Sequence, residues 1–215
     1  MKKVLVVPSG TEIGQEVVRS LNYLKDVELY GANSINSYSE IKKQNTIIGL
    51  PYVNQSGFIE AVKDIVDTHG ITHVFPAHDS ASILLSEFRA EINAKVISSS
   101  FETNKICRSK RLTYSALSEF VNVPKTYSLE DVDTLTYPLF AKPDIGQGSV
   151  GAKKINSAAD LSALSEDDVL CEYLPGDEYT VDCVTDSHGN LLYAHARKRI
   201  SMRNGIAIET ELVSE

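Results

Sequence analysis

The sequence predicts an α/β protein that contains two different kinds of sheet. Over roughly the first hundred residues, short apolar runs alternate with segments whose apolar residues recur at helical spacing, which is typical of a parallel sheet with right-handed helical crossovers. From residue 137 onward, strand-like segments are separated by turn residues, a pattern that favours antiparallel hairpins. We therefore expect a parallel α/β domain first and an α+β region with antiparallel strands after it.

The first part begins with KVLVV at 3–7, a continuous apolar run of the kind found in strands buried on both faces. The clearest helix is 56–68, where one stripe of apolar side chains runs along the segment and Gly70 is placed to cap its C-terminus. The other predicted elements, in order, are a helix at 13–24, the strand VELYG at 27–31, the strand THVFPA at 72–77, a helix at 81–92 and the strand KVISS at 95–99.

The second part begins with a basic stretch at 101–121 that is predicted to be helical. Ser109 can cap a second helix within this stretch, and the helix ends before NVP at 122–124. Strands follow, with one short helix, SAADLSAL at 157–164, among them. The strands are YPLFAKP at 137–143, GAKKI at 151–155, DVLCEYL at 168–174, EYTVDCVTD at 178–186 and NLLYAHARKRI at 190–200.

The composition disfavours several classes of protein. A net charge of −8 over 215 residues argues against nucleic acid as the main partner. The three cysteines include no C-x-x-C pair, so neither a disulfide framework nor a structural zinc site is predicted. Two lysines and an apolar run at the start imitate a signal peptide, but Pro8 ends that run far short of a membrane span. We expect a cytoplasmic protein without a membrane partner.

Residues 146–151 read GQGSVG, a G-x-G-x-x-G pattern that unrelated nucleotide-binding loops share. In a dinucleotide-binding fold these glycines open a helix, whereas here the AKKI that follows is short and strand-like. A kinase would carry H-R-D and D-F-G downstream, and a P-loop would place Lys-Ser or Lys-Thr after its last glycine; the sequence has neither. By itself, the pattern is equally consistent with a flexible hairpin turn.

The residues around this loop favour a phosphate site. Lys142 lies on the incoming strand, where its charge can meet phosphate while the loop offers backbone N–H groups. About thirty residues later, CEYLPGDEYTVD ends a strand and turns, so that Glu172 and Glu178 can face one crevice and accept hydrogen bonds from ribose hydroxyls. Either glutamate by itself would be interpreted as a solvated strand end.

Four sequence motifs, in this order along the chain, resemble those of the ATP-grasp superfamily. They are Lys110 in RSKRLTY, Lys142 in YPLFAKP, the GQGSVG loop and the hinge EYLPGDEYTVD. Within that superfamily the chain is most similar to ligases of the carbamoyl-phosphate synthase large-subunit type. The resemblance implies a pre-ATP-grasp domain at 1–105, a first ATP-grasp subdomain with its glycine-loop lid at 106–186, and the incomplete start of a second subdomain at 187–215.

The resemblance also implies an activity and a set of ligands. ATP-grasp enzymes phosphorylate a carboxylate with ATP and Mg²⁺, and an amine or similar nucleophile then attacks the acyl phosphate. Two lysines would hold the phosphates, the loop would close over them, the backbone of 172–174 would bind adenine, and a hinge glutamate would bind the ribose. The implied nucleotide-binding residues are Lys110, Lys142, Gly146, Gln147, Gly148, Ser149, Val150, Gly151, Glu172, Tyr173, Leu174 and Glu178.

A few other side chains are candidate contacts for substrate or phosphate. Arg197, Arg199 and Arg203 share parity in HARKRISMRNG, so a regular strand would point all three to one face. Arg199 and Arg203 are the better candidates for phosphate or acyl phosphate. Asp79 follows a parallel strand, at the edge where open α/β sheets bind ligands, and is a candidate substrate contact. No residue is assigned as a catalytic group.

The sequence ends at ETELVSE, where family members continue with an E-x-N-x-R segment that binds the metal. The resemblance therefore implies Mg²⁺ only for a complete enzyme, with ligands beyond residue 215 and none in this chain. Without those carboxylates phosphoryl transfer lacks its main charge neutraliser, so we expect little or no catalysis from these residues. A fragment, a split gene product and a degenerate nucleotide binder all stay open, and a homodimer or a partner chain could complete the fold.

The sequence is consistent with three functions. The first is the N-terminal portion of an ATP-dependent carboxylate–amine ligase whose substrates are unidentified small molecules. The second is a non-catalytic module that binds ATP or ADP. The third is an NAD(P)-dependent oxidoreductase in which PSGTEIG at 8–14 is a degenerate fingerprint and Glu28 its acidic residue. The first two predict a preference for adenine nucleotides over NADH.

Overall fold

The computed structural model describes residues 1–35, 41–129, 134–186, 188–203 and 205–213. The chain forms two compact units, Met1–Arg108 and Ser109–Glu215. The first unit contains a parallel sheet and the second contains two antiparallel sheets, so the predicted succession of sheet types is confirmed. Among the described residues, no helix has the length and apolar character that a membrane crossing requires.

The first unit alternates strands and helices, as the sequence predicts. Its strands are β1 (Lys2–Val7), β2 (Val27–Asn33), β3 (Thr46–Ile48), β4 (His73–Pro76) and β5 (Lys95–Val96). Its helices are α1 (Glu12–Leu21), α2 (Phe58–His69), α3 (Asp79–Glu87) and α4 (Phe101–Arg108), with 3-10 turns at Lys43–Asn45 and Arg89–Glu91. The strand order is β3-β2-β1-β4-β5 and every pair is parallel, which is a doubly wound arrangement.

Strand β1 lies at the centre of the first unit because its side chains are apolar on both faces. Leu5 and Val7 belong to the core that α2 covers, whereas Val4 and Val6 pack with Val18 of α1 in a second core. Burial of each such side chain stabilises the fold by roughly 1.5–3 kcal/mol. The continuous apolar run in the sequence therefore corresponds to a strand covered on both sides.

Three elements of this unit show where the sequence pattern succeeds and where it does not. Gly70 caps α2 as predicted, in the left-handed region with φ 62°. The predicted helix at 81–92 instead begins at Asp79 and changes after Glu87 to a 3-10 turn. The pattern does not predict β3, because three residues at the edge of a sheet are too short a run to show alternation.

The second unit begins with helix α5 (Lys110–Leu117), and the predicted Ser109 caps it by accepting a hydrogen bond from the N–H of Leu112. One antiparallel sheet has β6 (Thr126–Tyr127), β7 (Leu139–Pro143), β8 (Lys153–Ile155) and β9 (Asp168–Glu172) in the order β6-β9-β7-β8. The other has β10 (Tyr179–Thr185), β11 (Leu191–Arg203) and β12 (Ile206–Leu212) in that order. A 3-10 helix at Ala158–Ala163 takes the place of the predicted short α-helix.

Alternation along β7 divides its side chains between a core and the opposite face of the sheet. Leu139 and Ala141 are buried with Leu170 of the neighbouring β9. Phe140 and Lys142 therefore lie on the other face, because successive side chains in a strand point to opposite sides. That face carries the candidate site.

The three-stranded sheet leaves apolar side chains uncovered. Val181 and Val184 of β10 are 58% and 52% exposed, and Ile208 of β12 is 65% exposed. No residue of β10 is buried. Val181 and Val184 are three residues apart on one strand, so exposed apolar side chains occur on both faces of this sheet.

Candidate functional site

A pocket of about 200 Å³ lies on the face of the sheet that carries Lys142. It brings together two of the predicted nucleotide-binding segments, the lysine before the glycine loop and the hinge segment at 172–174. The pocket is lined by Pro124, Phe140, Lys142, Cys171, Glu172, Tyr173 and Leu174. Most of these side chains are apolar or aromatic, with Lys142 and Glu172 as the charged groups, which is the usual composition of a small-molecule pocket.

Lys142 points its ammonium group at aromatic rings. Its Nζ lies 5.5 Å from the ring centroid of Tyr114 and 5.9 Å from that of Phe140. Within the described residues it forms no ion pair with a carboxylate. A cation–π contact is worth about 0.5–1 kcal/mol at a partly exposed site, so an arriving phosphate can compete for this charge.

The hinge is fixed through the side chain of Glu172. Its carboxylate accepts a hydrogen bond of 2.9 Å from the N–H of Lys125, and its own N–H donates to the Lys125 carbonyl at 2.9 Å. Lys154 covers the adjacent Tyr173, with Nζ 4.2 Å from the ring centroid. Since the Glu172 carboxylate is already engaged, the groups that this segment can offer to a purine are the backbone of 173 and 174 and the faces of their side chains.

Cys171 contributes a neutral wall to the pocket. Its Sγ donates to the Phe140 carbonyl at 3.4 Å, and the residue is buried. Burial raises the pKa of the Cys171 thiol, and the positive charge of Lys142 opposes that shift only in part. The thiol is therefore a poor nucleophile, and its position favours packing against a ring rather than chemistry.

The glycine loop connects β7 to β8 as an antiparallel hairpin, not as a turn into a helix. Gly148 and Gly151 have φ of 64° and 78°, and Ser149 also lies in the left-handed region with φ 58°. A Cβ on Gly151 would approach Cγ of Pro143 to 2.8 Å, so the loop folds closely against the end of β7. Val150 is 76% exposed and does not anchor the loop.

Lys110, the other predicted phosphate ligand, is the first residue of α5. Its Nζ donates to the carbonyl of Asp144 at 3.1 Å, so it is held at the beginning of the chain segment that leads into the glycine loop. The sequence pattern indicates neither Asp144 nor the contact of the Tyr114 ring with Lys142. Both contacts join residues distant in the chain, Asp144 with Ser109 and Lys142 with Tyr114, so no local pattern reveals them.

Glu178, the predicted ribose acceptor, is paired with Arg199. The guanidinium of Arg199 donates to the Glu178 carboxylate and to the carbonyl of Gly205. The Glu178 carboxylate therefore compensates part of the electrostatic attraction that Arg199 could offer to phosphate.

The other two arginines of β11 do not form the predicted cationic strip with Arg199. Two register shifts lie between Arg199 and Met202, so the alternation argument that placed three arginines on one face does not extend to Arg203. Arg197 is paired with Asp182 at 2.5 Å, and that pairing lowers the pKa of the Asp182 carboxyl. The strand therefore carries paired charges at 197 and 199 rather than a row of free cations.

Asp79, the candidate substrate contact, belongs to the first unit. It is the first residue of α3, directly after the C-terminal edge of β4, as the sequence predicts. Its carboxylate accepts from Arg108 Nη1 at 2.9 Å. A substrate that used Asp79 would therefore meet a carboxylate whose charge is already partly compensated.

A metal site of the usual kind does not form in the described ranges, where no group of three His, Cys, Asp or Glu side chains converges. Mg²⁺ binds through carboxylates and phosphate oxygens with near-octahedral geometry. The residues present therefore do not fit a magnesium ion by themselves.

The second unit is also similar in sequence to a known domain. Residues 107–211 match the family model of the ATP-grasp domain. No curated protein matches the sequence with significant similarity.

Three solved structures are similar to nearly the whole chain. The biotin carboxylase domain dimer of Hydrogenobacter thermophilus 2-oxoglutarate carboxylase, in complex with MgADP, ADP and bicarbonate, has a TM-score of 0.73 at 17% identity. N5-carboxyaminoimidazole ribonucleotide synthetase from Thermotoga maritima has 0.72 at 18%, and L-amino acid ligase from Bacillus licheniformis has 0.74 at 17%. Likeness at these identities shows a common fold.

The same comparisons differ in how much of each protein they cover. They include 94%, 92% and 100% of this chain, but only 51%, 53% and 55% of the three solved chains. The chain thus spans about half the length of the structures it matches.

Proposed function

The chain belongs to the ATP-grasp superfamily through residues 107–211, and on that premise we propose that it is the nucleotide-binding portion of an ATP-dependent carboxylate–amine ligase. The observation that carries the proposal is the single pocket that Lys142 shares with Glu172, Tyr173 and Leu174. The apolar walls would contact the adenine ring, and the lysine would supply positive charge to the phosphates.

The proposed roles of the residues follow from their chemistry. Lys142 and Lys110 bind phosphate oxygens as point charges, and the loop at 146–151 supplies backbone N–H groups. Glu178 accepts hydrogen bonds from the ribose, while the backbone of 173 and 174 contacts the edge of the adenine. These parts bind and position the nucleotide, which is most of what phosphoryl transfer requires from a protein.

In the complete protein the proposed reaction is carboxylate activation, of the type found in carbamoyl-phosphate synthase large-subunit-like ligases. A carboxylate oxygen attacks the γ-phosphorus of ATP, the bond to the bridging oxygen breaks, and ADP leaves with the electron pair. An amine then attacks the acyl carbon, and phosphate leaves. The described residues do not fit Mg²⁺, so its ligands would lie beyond residue 215, and none of these steps is assigned to it.

A second candidate, a module that binds ATP or ADP without catalysis, is favoured by one specific observation. No cluster of three metal-binding side chains forms in the described part of the chain. This chain covers only 51% of the solved structure that contains MgADP and bicarbonate, so that protein is about twice as long. Such a module would bind the nucleotide and leave phosphoryl transfer to other polypeptide, whether a continuation of this chain, a second copy or a partner chain.

Calorimetric titration of the 215-residue chain with ATP, ADP, adenosine and NADH tests the proposal. We expect ATP and ADP to bind more tightly than adenosine, because only they engage the lysines, and NADH to bind weakest. Tight binding of NADH with no binding of adenine nucleotides would overturn it. Release of ADP from ATP by the chain alone would argue against the non-catalytic alternative.

A further inference from the structure

Asp144 attaches the beginning of helix α5 to the chain segment that leads into the glycine loop. Its two carboxylate oxygens accept from the Ser109 hydroxyl at 3.0 and 2.9 Å, and Oδ1 also accepts from the N–H of Arg111 at 2.8 Å. Ser109 and Ile145 form an antiparallel bridge beside these contacts. The carboxylate therefore satisfies a donor at the N-terminus of α5 and fixes that end to the loop side of β7.

The main chain of the same residue holds Lys110. The Asp144 carbonyl accepts from both the N–H of Lys110 at 3.3 Å and its Nζ at 3.1 Å. The Asp144 N–H donates to the carbonyl of Asp167 at 2.8 Å, which anchors the residue from the other side. The side chain and the main chain of Asp144 thus act together. The carboxylate fixes the position of Asp144, and its carbonyl fixes the position of the Lys110 ammonium.

This arrangement has a consequence for ligand binding. A carboxylate at the N-terminus of a helix is stabilised by the helix dipole, so Asp144 occupies the end of α5 that would otherwise attract phosphate. A lysine side chain carries considerable rotamer entropy, and a side chain that is already held loses less of it when the ligand binds. Asp144 therefore removes one phosphate attractor, the helix end, and pre-orders another, the Lys110 ammonium.

We propose that Asp144 is a positioning residue that sets the place of Lys110 for the phosphates of a nucleotide, an inference that rests on the proposed function. Asp144 itself does not touch the nucleotide. Its effect is exerted on phosphate through Lys110, and the adenine and ribose contacts at the hinge do not depend on it.

The experiment compares nucleotide affinity in the Asp144→Asn variant of the full chain with the parent, by calorimetry with ATP and with adenosine. Asparagine keeps the size of the side chain but loses the charge-assisted hydrogen bonds to Ser109 and Arg111. We expect ATP affinity to fall about three- to tenfold, which corresponds to the free energy that the loss of a helix-capping contact usually costs. Adenosine affinity should stay unchanged. If the Asp144→Asn variant fails to fold, Ser109→Ala breaks the same link from the other partner and should cause a smaller loss, again for ATP alone.

The Lys110→Ala variant makes the test specific. Because Asp144 acts through Lys110, the variant that combines Asp144→Asn with Lys110→Ala should bind ATP no more weakly than Lys110→Ala alone. Asp160→Asn is the matched control, since Asp160 accepts from the N–H of Asn156 at 2.8 Å and of Ser157 at 3.1 Å at another helix start. It should lower stability without changing the ratio of ATP to adenosine affinity.

Equal losses for ATP and adenosine in Asp144→Asn, or losses that add to those of Lys110→Ala, would reduce Asp144 to a structural cap and overturn the inference. The inference is also overturned if Lys110→Ala weakens ATP but Asp144→Asn does not, and the proposed function then stands. If Lys110→Ala leaves the preference for ATP over adenosine intact, the phosphate role of Lys110 is wrong and the inference falls with it.

Discussion

Glu178 accepts a hydrogen bond from Arg199, and the same guanidinium donates to the carbonyl of Gly205 at the turn between β11 and β12. Gly205 in turn approaches the glycine loop, since a Cβ built on it would come within 2.5 Å of Cα of Gly148. One arginine therefore connects the proposed ribose acceptor to the turn that meets the loop. A carboxylate has about four lone-pair sites, so the arginine and a ribose hydroxyl can bind Glu178 together.

Replacement of Glu178 by alanine should weaken ATP and adenosine to the same degree. Both ligands carry the ribose, and a hydrogen bond to a charged group is worth about 1.5–3 kcal/mol when it is well shielded. The Glu178 side chain is 53% exposed, so we expect the lower end of that range, about tenfold, in calorimetric titrations.

The neighbouring carboxylate supplies the control for Glu178. Asp177 forms a comparable surface ion pair with Lys198 at 2.6 Å, and Asp177→Ala should leave both affinities unchanged. If Glu178→Ala folds and binds adenosine as the parent does, the assignment of the ribose to this hinge is wrong.

Replacement of Lys142 by alanine should weaken ATP much more than adenosine. The ammonium meets phosphate, which adenosine lacks, and the interaction between partly exposed charges is screened by salt. The difference between the two ligands should therefore shrink as ionic strength rises, which titrations at about 0.02 and 0.5 M salt would measure.

Lys153 provides the comparison for this variant. It pairs with Ala141 on β7, so it points to the opposite face of the sheet from Lys142, and its Nζ donates to the Ala163 carbonyl. Lys153→Ala changes the net charge by the same amount but should keep the preference for ATP. An unchanged preference in Lys142→Ala would leave the glycine loop as a hairpin with a flexible tip and no phosphate role.

The sequence predicts the fold where a residue's environment follows from its neighbours in the chain. The apolar run at 3–7, the Gly70 cap and the Ser109 cap are confirmed because each depends on contacts within a few residues or on burial from both sides. The hairpin around residues 146–151 is also confirmed, since turn residues between two short strand-like runs leave few alternatives.

The sequence predicts less where a partner lies far away or where regular geometry breaks. Asp144 and its contact with Ser109 join segments 35 residues apart, which no local pattern reveals. The bulges after Arg199 interrupt a strand whose letters alternate regularly, so Arg203 does not follow the parity of the others. Edge strand β3 is too short to be recognised at all.

Substitution of Gly151 by alanine should destabilise the loop and lower ATP affinity. Alanine at φ 78° costs about 1–2 kcal/mol in backbone strain, and here its Cβ would also approach the Pro143 ring to 2.8 Å. Gly189 shares the left-handed conformation, with φ 84°, but has no atom within 4 Å of its added Cβ.

Comparison of Gly151→Ala with Gly189→Ala separates the effect of backbone strain, which both variants have, from the effect of the close contact with Pro143, which only Gly151→Ala has. Both should lower the free energy of unfolding in urea, but only Gly151→Ala should weaken ATP binding, and it should do so more than adenosine binding. Equal effects of the two variants on ATP would mean that the close fit of the loop against Pro143 has no part in binding.

Cys171 should be the slowest of the cysteines to react with iodoacetamide near neutral pH. Burial raises the pKa of the Cys171 thiol and also shields its sulfur from the reagent, whereas Cys107 and Cys183 are exposed to it. Because the raised pKa belongs to the folded state, the unfolded chain loses its proton first as pH rises past the ordinary thiol value of about 8.5, and stability should decline from there. Mass spectrometry of the alkylated peptides, with and without ADP, measures the reaction rate of each cysteine and its protection by the nucleotide. ADP should slow modification of Cys171 further while Cys107 and Cys183 react as before. A Cys171 that reacts as fast as the other two would contradict its burial, whereas a Cys171 that ADP does not protect would mean that the adenine lies elsewhere.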